Sequence, residues 1–185
     1  MATARTPRQA WIDAGLRALA AGGPDAVRVE SLARTLGVTK GGFYGYFADR
    51  NALLAEMLDD WERRSVPDVI AQAEREGDSA LDRTKRAAEL TFSDDLLPID
   101  LAVRDWARRD SEVAERLRRV DNERIGYLRR SFADRYPDSV ELEARCLLAF
   151  SAAIAGDLIA ADHPGHTRQE ITRRAAELLF SDPDA

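Results

Sequence analysis

The chain has 185 residues, 32% charged and 45% hydrophobic, with a net charge of −6 and one cysteine, Cys146. That is enough for one large or two small globular domains, and it excludes an intramolecular disulfide, which suits a reducing, cytoplasmic setting. No signal-peptide pattern opens the sequence, and the longest apolar run, Cys146 to Ala161, is shorter than a bilayer span and interrupted by Asp157, so no membrane association is expected.

Helical signals follow one another along the chain. Thr6-Pro7 reads as an N-cap followed by proline at the first helical position, with Ile12, Gly15, Leu16 and Leu19 on one face and Gly22-Gly23-Pro24 as the stop. Val29, Leu32, Ala33 and Leu36 form the stripe of a second, short helix, ended by Gly37, with Val38 plugging the turn. Thr39 is placed to cap a third helix over Lys40 to Phe47, burying Phe43 and Phe47. Asp49 caps a fourth with Leu53, Leu54, Met57, Leu58 and Trp61 inward, which Pro67 should kink or end.

Gly77-Asp78 then breaks the chain before a fifth helix on Leu81, Thr84, Ala88, Thr91 and Phe92. Pro98 opens a sixth on Ile99, Ala102, Val103 and Trp106, and Asp110 caps a seventh running on Val113, Leu117, Val120, Leu128 and Phe132 to Pro137. Asp138 with Glu141, and Thr167 with Glu170, have capping-box spacing at the starts of the last two helices. No run alternates long enough to argue a strand. The fold class is all-α with about nine helices: a three-helix head, residues 1–50, and a helical body, residues 51–185.

Two short helices with a glycine in the turn form the helix-turn-helix arrangement, whose second helix enters the DNA major groove. Charge follows the same division. Residues 1–52 carry seven Arg or Lys against four Asp or Glu, a net +3, which leaves −9 on the remainder. A basic head on an acidic body suits a phosphate-binding module joined to a non-binding domain, although uneven surface charge arises by chance as well.

The head resembles the N-terminal segment of the tetracycline-repressor-like (TetR) family of bacterial transcriptional regulators. The matching residues are Ala14 to Leu19, Gly23, Leu32-Ala33, Gly37-Val38-Thr39-Lys40-Gly41, Tyr44, Tyr46-Phe47 and Arg50 through Leu54. The resemblance covers roughly the first 60 residues; beyond them only size and helical character match. It implies a homodimeric repressor that binds a palindromic operator in double-stranded DNA and is released by a small-molecule effector.

Candidate DNA-binding residues are Arg28, Thr39, Lys40, Gly41, Gly42, Tyr44, Tyr46 and Arg50. Thr39 can cap and reach the backbone or a base; Lys40 suits a guanine edge or a phosphate equally. Gly41 and Gly42 permit close approach to the groove. By the resemblance, Tyr44 and Tyr46 contact phosphates or bases and Arg50 is a phosphate clamp. Packing within the head accounts for Tyr44 as well, and Arg50 can be read as a solvated helix-start residue.

Two departures from the family pattern stand out. Arg28 replaces the usual Ser or Thr cap of the second helix, and Gly45 joins Gly41 and Gly42 in weakening the third, each glycine costing about 1 kcal/mol against alanine. A recognition helix that is mobile until it meets DNA is the expectation.

In the body, Cys146 to Ile159 is apolar around almost its whole circumference, and the last helix adds Ile171, Ala175, Leu178 and Leu179 on one face. A helix apolar all round must be covered on more than one side. A homodimer sealed by these two helices follows, through Leu147, Phe150, Ile154, Leu158, Ile171, Ala175 and Leu178; the alternative is a central helix buried within a monomer.

Trp61, Phe92, Trp106, Tyr127 and Phe132 are candidate effector-pocket aromatics, and equally ordinary core residues. His163 and His166 flank a Pro-Gly turn without further Cys or His, so neither a metal site nor a cofactor is expected. No nucleophile motif or phosphate-binding glycine loop supports an enzyme. A helical protein-interaction module that has lost DNA binding is the alternative function, and the three recognition-helix glycines are its support.

Overall fold

The structure, a computed structural model, describes residues 7–180, without the side chains of Gly156, Asp157, Ala176, Leu179 and Phe180. Thr6, expected as the first cap, lies outside the described residues; Pro7 stands at the N-cap position with extended backbone, one residue earlier in the helix frame than expected.

All regular structure among the described residues is helical: α1 (Arg8–Gly22), α2 (Val29–Thr35), α3 (Lys40–Phe43), α4 (Arg50–Arg63), α5 (Val69–Glu76), α6 (Ala80–Thr91), α7 (Leu97–Ala107), α8 (Ser111–Phe132), α9 (Ser139–Leu158) and α10 (Arg168–Phe180). A π-helical turn, Arg64–Asp68, joins α4 to α5. Pro67 therefore neither ends nor sharply breaks the rod. Proline removes one N–H and crowds the carbonyl four residues back, and the wider π turn accommodates both within continuous helix.

The expected caps form where their chemistry allows. Asp49 accepts from the Ala52 amide at 2.8 Å, and Asp110 from Glu112 and Val113 at 3.0 and 3.2 Å. Asp138 accepts from the Glu141 amide at 2.8 Å. Thr167 and Glu170 satisfy each other's amides at 3.2 and 2.7 Å, a complete capping box. Each such cap contributes about 1 kcal/mol. Ser79, which caps α6 through the Asp82 amide at 3.1 Å, was not anticipated from the sequence.

Two compact units are present. The first takes in the chain up to Gln72 together with Ser93–Val120; the second takes in Ala73–Phe92 and the chain from Asp121 onward. In the first, Trp11, Leu16, Leu19, Val27, Phe43, Leu53, Met57, Trp61 and Val103 are almost wholly buried, a core that α1, α4 and α7 share with the short helices of the head. Gly15 lets α1 approach α4: a Cβ there would stand 2.5 Å from Met57 Sδ.

The second unit contains a small buried cluster of Phe132, Tyr136 and Cys146. Here α9 and α10 pack on each other, yet Leu147, Leu148, Leu158 and Leu178 remain exposed.

Candidate nucleic-acid interface

The turn between α2 and α3 is closed by backbone alone. Gly37 takes φ 66°, the left-handed region that glycine enters without strain. The Val38 amide then donates to the Ala33 carbonyl at 2.9 Å and the Gly37 amide to the Arg34 carbonyl at 3.1 Å. This 6→1 and 5→2 pair is a Schellman turn, and Val38 packs into the core beside Ala33, as its position after the glycine suggests. The result fixes where the next helix begins.

That next helix is shorter than expected. α3 spans Lys40–Phe43, and Tyr44 to Tyr46 continue as a turn. With Gly41, Gly42 and Gly45 in a stretch of six residues, the helix lacks the propensity to propagate. What holds the segment is aromatic packing beneath it. Phe43 is fully buried, edge-on to Trp11 at 5.4 Å and stacked on Phe47 at 5.2 Å.

The outer side of this segment carries the candidate DNA contacts. Thr39 stands at the N-cap of α3, exposed, with no side-chain cap bond. Tyr44 is 54% exposed, its ring edge-on to Phe43 at 5.2 Å, so the ring packs on the head while much of the side chain stays open to water. Tyr46 is half-buried against Phe47. Gly41 is exposed and Gly42 half-buried, its position for a Cβ lying 3.9 Å from the Trp11 ring. Arg28 sits at the N-cap of α2 without a side-chain cap, as its replacement of Ser or Thr implied, and its Nε donates to the Asp25 carbonyl at 3.0 Å.

Lys40 is exposed, and its ammonium donates to the Glu30 carboxylate on α2. That pairing holds the Glu30 carboxyl below the usual glutamate range and pushes Lys40 upward. Arg50 makes contacts within the head that its sequence position does not suggest. Its Nε donates to the Val27 carbonyl at 2.7 Å and a terminal nitrogen to the Pro24 carbonyl, so the half-buried guanidinium ties the turn before α2 to the start of α4. Backbone carbonyls attract a cation as a phosphate does.

Residues that sequence reasoning passed over also shape this face. Glu30 was counted only as a charge, although it lies ten residues before Lys40 across a helix-turn-helix. Arg8 places its guanidinium 5.2 Å from the Phe47 ring and pairs with Glu56, bracing α1 and α4 around the aromatic cluster. Its signal was an arginine one turn from Trp11, too common a pattern to single out.

The five candidate pocket aromatics do not form one group. Trp61 and Trp106 belong to the core of the first unit, whereas Phe92, Tyr127 and Phe132 lie in the second. There Phe92 meets Phe150 at 6.1 Å, and the Tyr127 hydroxyl donates to Glu74 at 3.1 Å. Burial and that carboxylate push the Tyr127 phenol up to about 12. Of the candidate interface residues, Leu147, Leu158 and Leu178 are exposed by 62%, 63% and 58%, and Phe150, Ile154, Ile171 and Ala175 are half-buried.

Among the described residues no group of three His, Cys, Asp or Glu side chains could hold a metal, and no helix is long and apolar enough to cross a membrane.

A backbone-locked turn carrying a short helix over an aromatic base defines the head as a helix-turn-helix module. Residues 12–57 match the family model for bacterial regulatory proteins of the tetR family. The HTH-type transcriptional regulator YwcC of Bacillus subtilis is 32% identical over 90 residues, which is 46% of this chain and 40% of YwcC. The head is thus similar to the DNA-binding segment of the tetR family, and the chain spans less than half the length of the curated relative it matches.

The fold extends the likeness along the whole chain. A Rhodococcus protein assigned to the TetR family superposes with a TM-score of 0.67 at 21% identity, covering 94% of this chain and 98% of that one. FadR of Bacillus subtilis, solved in complex with stearoyl-CoA, gives 0.66 at 16% identity, covering 95% and 98%.

Proposed function

We propose that the chain is a homodimeric DNA-binding repressor, with residues 1–50 reading an inverted-repeat operator and residues 51–185 holding an effector site and the dimer interface. The observation that carries DNA reading is the exposed edge of Thr39, Lys40 and Tyr44 that follows a turn closed by backbone hydrogen bonds. Arg28, Gly41, Gly42 and Tyr46 extend that edge, with Arg50 serving it from behind by holding the head together.

Dimerisation rests on Leu147, Leu158 and Leu178, which are exposed and large where a monomer would present polar groups. Two-fold pairing places two recognition helices on successive major grooves when they stand about 34 Å apart, so a modest shift in the body releases the operator. The stearoyl-CoA complex of a protein of similar fold supports a helical body of this kind housing an apolar effector, and makes stearoyl-CoA the first compound to try.

The test is fluorescence anisotropy on duplexes from the region upstream of the gene, across a salt series, with Lys40→Ala and Tyr44→Phe beside the native chain. Tight, salt-sensitive binding to one duplex, weakened by Lys40→Ala, is expected. Equal weak binding to every duplex, unchanged in the variants, would instead favour a helical interaction module. Addition of stearoyl-CoA to the bound complex reads effector release directly.

A further inference from the structure

Lys40 is the cation at the start of α3, the short helix proposed to meet DNA, and its ammonium is already engaged by Glu30. Both side chains are open to water, at 50% and 62% exposure, so the pair lies on the outward face of α2 and α3. Between Arg28 and Phe47, Glu30 is the sole acidic residue, in the company of Arg28, Arg34 and Lys40. Stability does not account for it, because an exposed pair contributes little and less in salt.

Against a polyanion, a carboxylate here opposes binding in two ways: it repels phosphates and occupies the lysine. Its effect differs between partners in the groove. A phosphate brought to the ammonium stands close to the Glu30 carboxylate, so it either suffers the repulsion of that like charge or draws the lysine away from it. A G·C pair instead presents guanine O6 and N7 acceptors to the lysine and the cytosine N4 amino group to the carboxylate, so the ion pair survives with both members bonded.

We propose that Glu30 is a specificity-determining positioning residue, which holds Lys40 off phosphates and directs it to the major-groove edge of a G·C pair. This rests on the reading of the head as a DNA reader. Glu30 thereby lowers affinity for DNA at large and raises discrimination among sequences.

The experiment compares the native chain, Glu30→Gln, Lys40→Ala and the double variant on two probes across a salt series. One probe is a mixed-sequence duplex pool; the other is the duplex that the native chain selects best from a random pool. Glu30→Gln should bind the mixed pool several-fold tighter, with a log–log salt slope steeper by about one per head, as one more cation is released to phosphate. Its preference for the selected duplex over the pool should narrow by about tenfold, the worth of one base contact. In the Lys40→Ala background, adding Glu30→Gln should change the slope far less, because only the direct repulsion remains.

An unchanged preference ratio in Glu30→Gln overturns the proposal, whether affinity stays the same or rises equally for both probes, and leaves DNA reading standing. A change in slope that persists undiminished without Lys40 overturns it as well, since Glu30 would then act on DNA by repulsion alone. Failure of the native chain to bind any duplex brings down the DNA reading, and this inference with it.

Discussion

The two units handle apolar surface in opposite ways. In the first, Trp11, Phe43, Leu53, Met57 and Trp61 are buried to within 1% of their full surface. In the second, Leu147, Leu148, Leu158 and Leu178 each leave more than half their surface open. Helical periodicity is present in both, so it does not separate them. The difference lies in what each helix finds to pack against within the chain. A unit that closes its core can present polar and charged groups outward, whereas α9 and α10 leave large apolar side chains exposed.

The largest expected effect breaks the self-contained side of this comparison. Phe43→Ala should cost about 3–5 kcal/mol, because it empties the space between Trp11 and Phe47. Thermal unfolding of the variant should show that loss, while Leu147→Glu should leave chain stability nearly intact and shift sedimentation toward the monomer. A Leu147→Glu variant that unfolds without changing assembly would mean that Leu147 belongs to a core.

Next in size is Arg50→Ala, expected to destabilise the head by about 1–3 kcal/mol through two carbonyls left without their charged donor. If Arg50 served phosphates alone, denaturation of the free protein would not register the change.

Gly42→Ala sharpens the comparison from the weak end. A Cβ there meets Trp11 at an ordinary 3.9 Å and the backbone is not left-handed, so the substitution should stabilise α3 by up to about 1 kcal/mol. Reduced amide exchange across residues 40–47 is the measurement, and faster exchange would show that the glycine is needed where it stands.

The smallest effect belongs to Tyr127 in the second unit. Its phenol titrates near 12 in the folded chain, above its ordinary value of 10.0, so folding favours the neutral form. The stabilisation is complete below the unfolded value and is lost as pH rises through the folded one. Ultraviolet titration should find one late tyrosine, absent in Tyr127→Phe; Glu74→Gln should bring it earlier.

Much of the local structure was legible residue by residue. Gly37 and Val38 marked the turn, Asp49, Asp110 and Asp138 the helix starts, and Phe43 with Phe47 the buried face, because caps and turns are decided by bonds spanning a few residues. Illegible were the contacts between segments far apart in the chain. Arg50 reaching Val27 and Pro24, and Lys40 meeting Glu30, depend on where helices cross, and a charged side chain reads alike in sequence whatever it meets.

The same division holds for the whole protein. Local pattern determined an all-helical chain with a helix-turn-helix at its start, since the 3.6-residue period and the cap residues are written into neighbouring positions. Only the tertiary structure decided that Pro67 is absorbed in a π turn and that the candidate aromatics divide between two units. Each of those outcomes is set by competition between local propensity and packing from distant segments, and packing prevails because burial of a large side chain is worth more than the preference of any single residue.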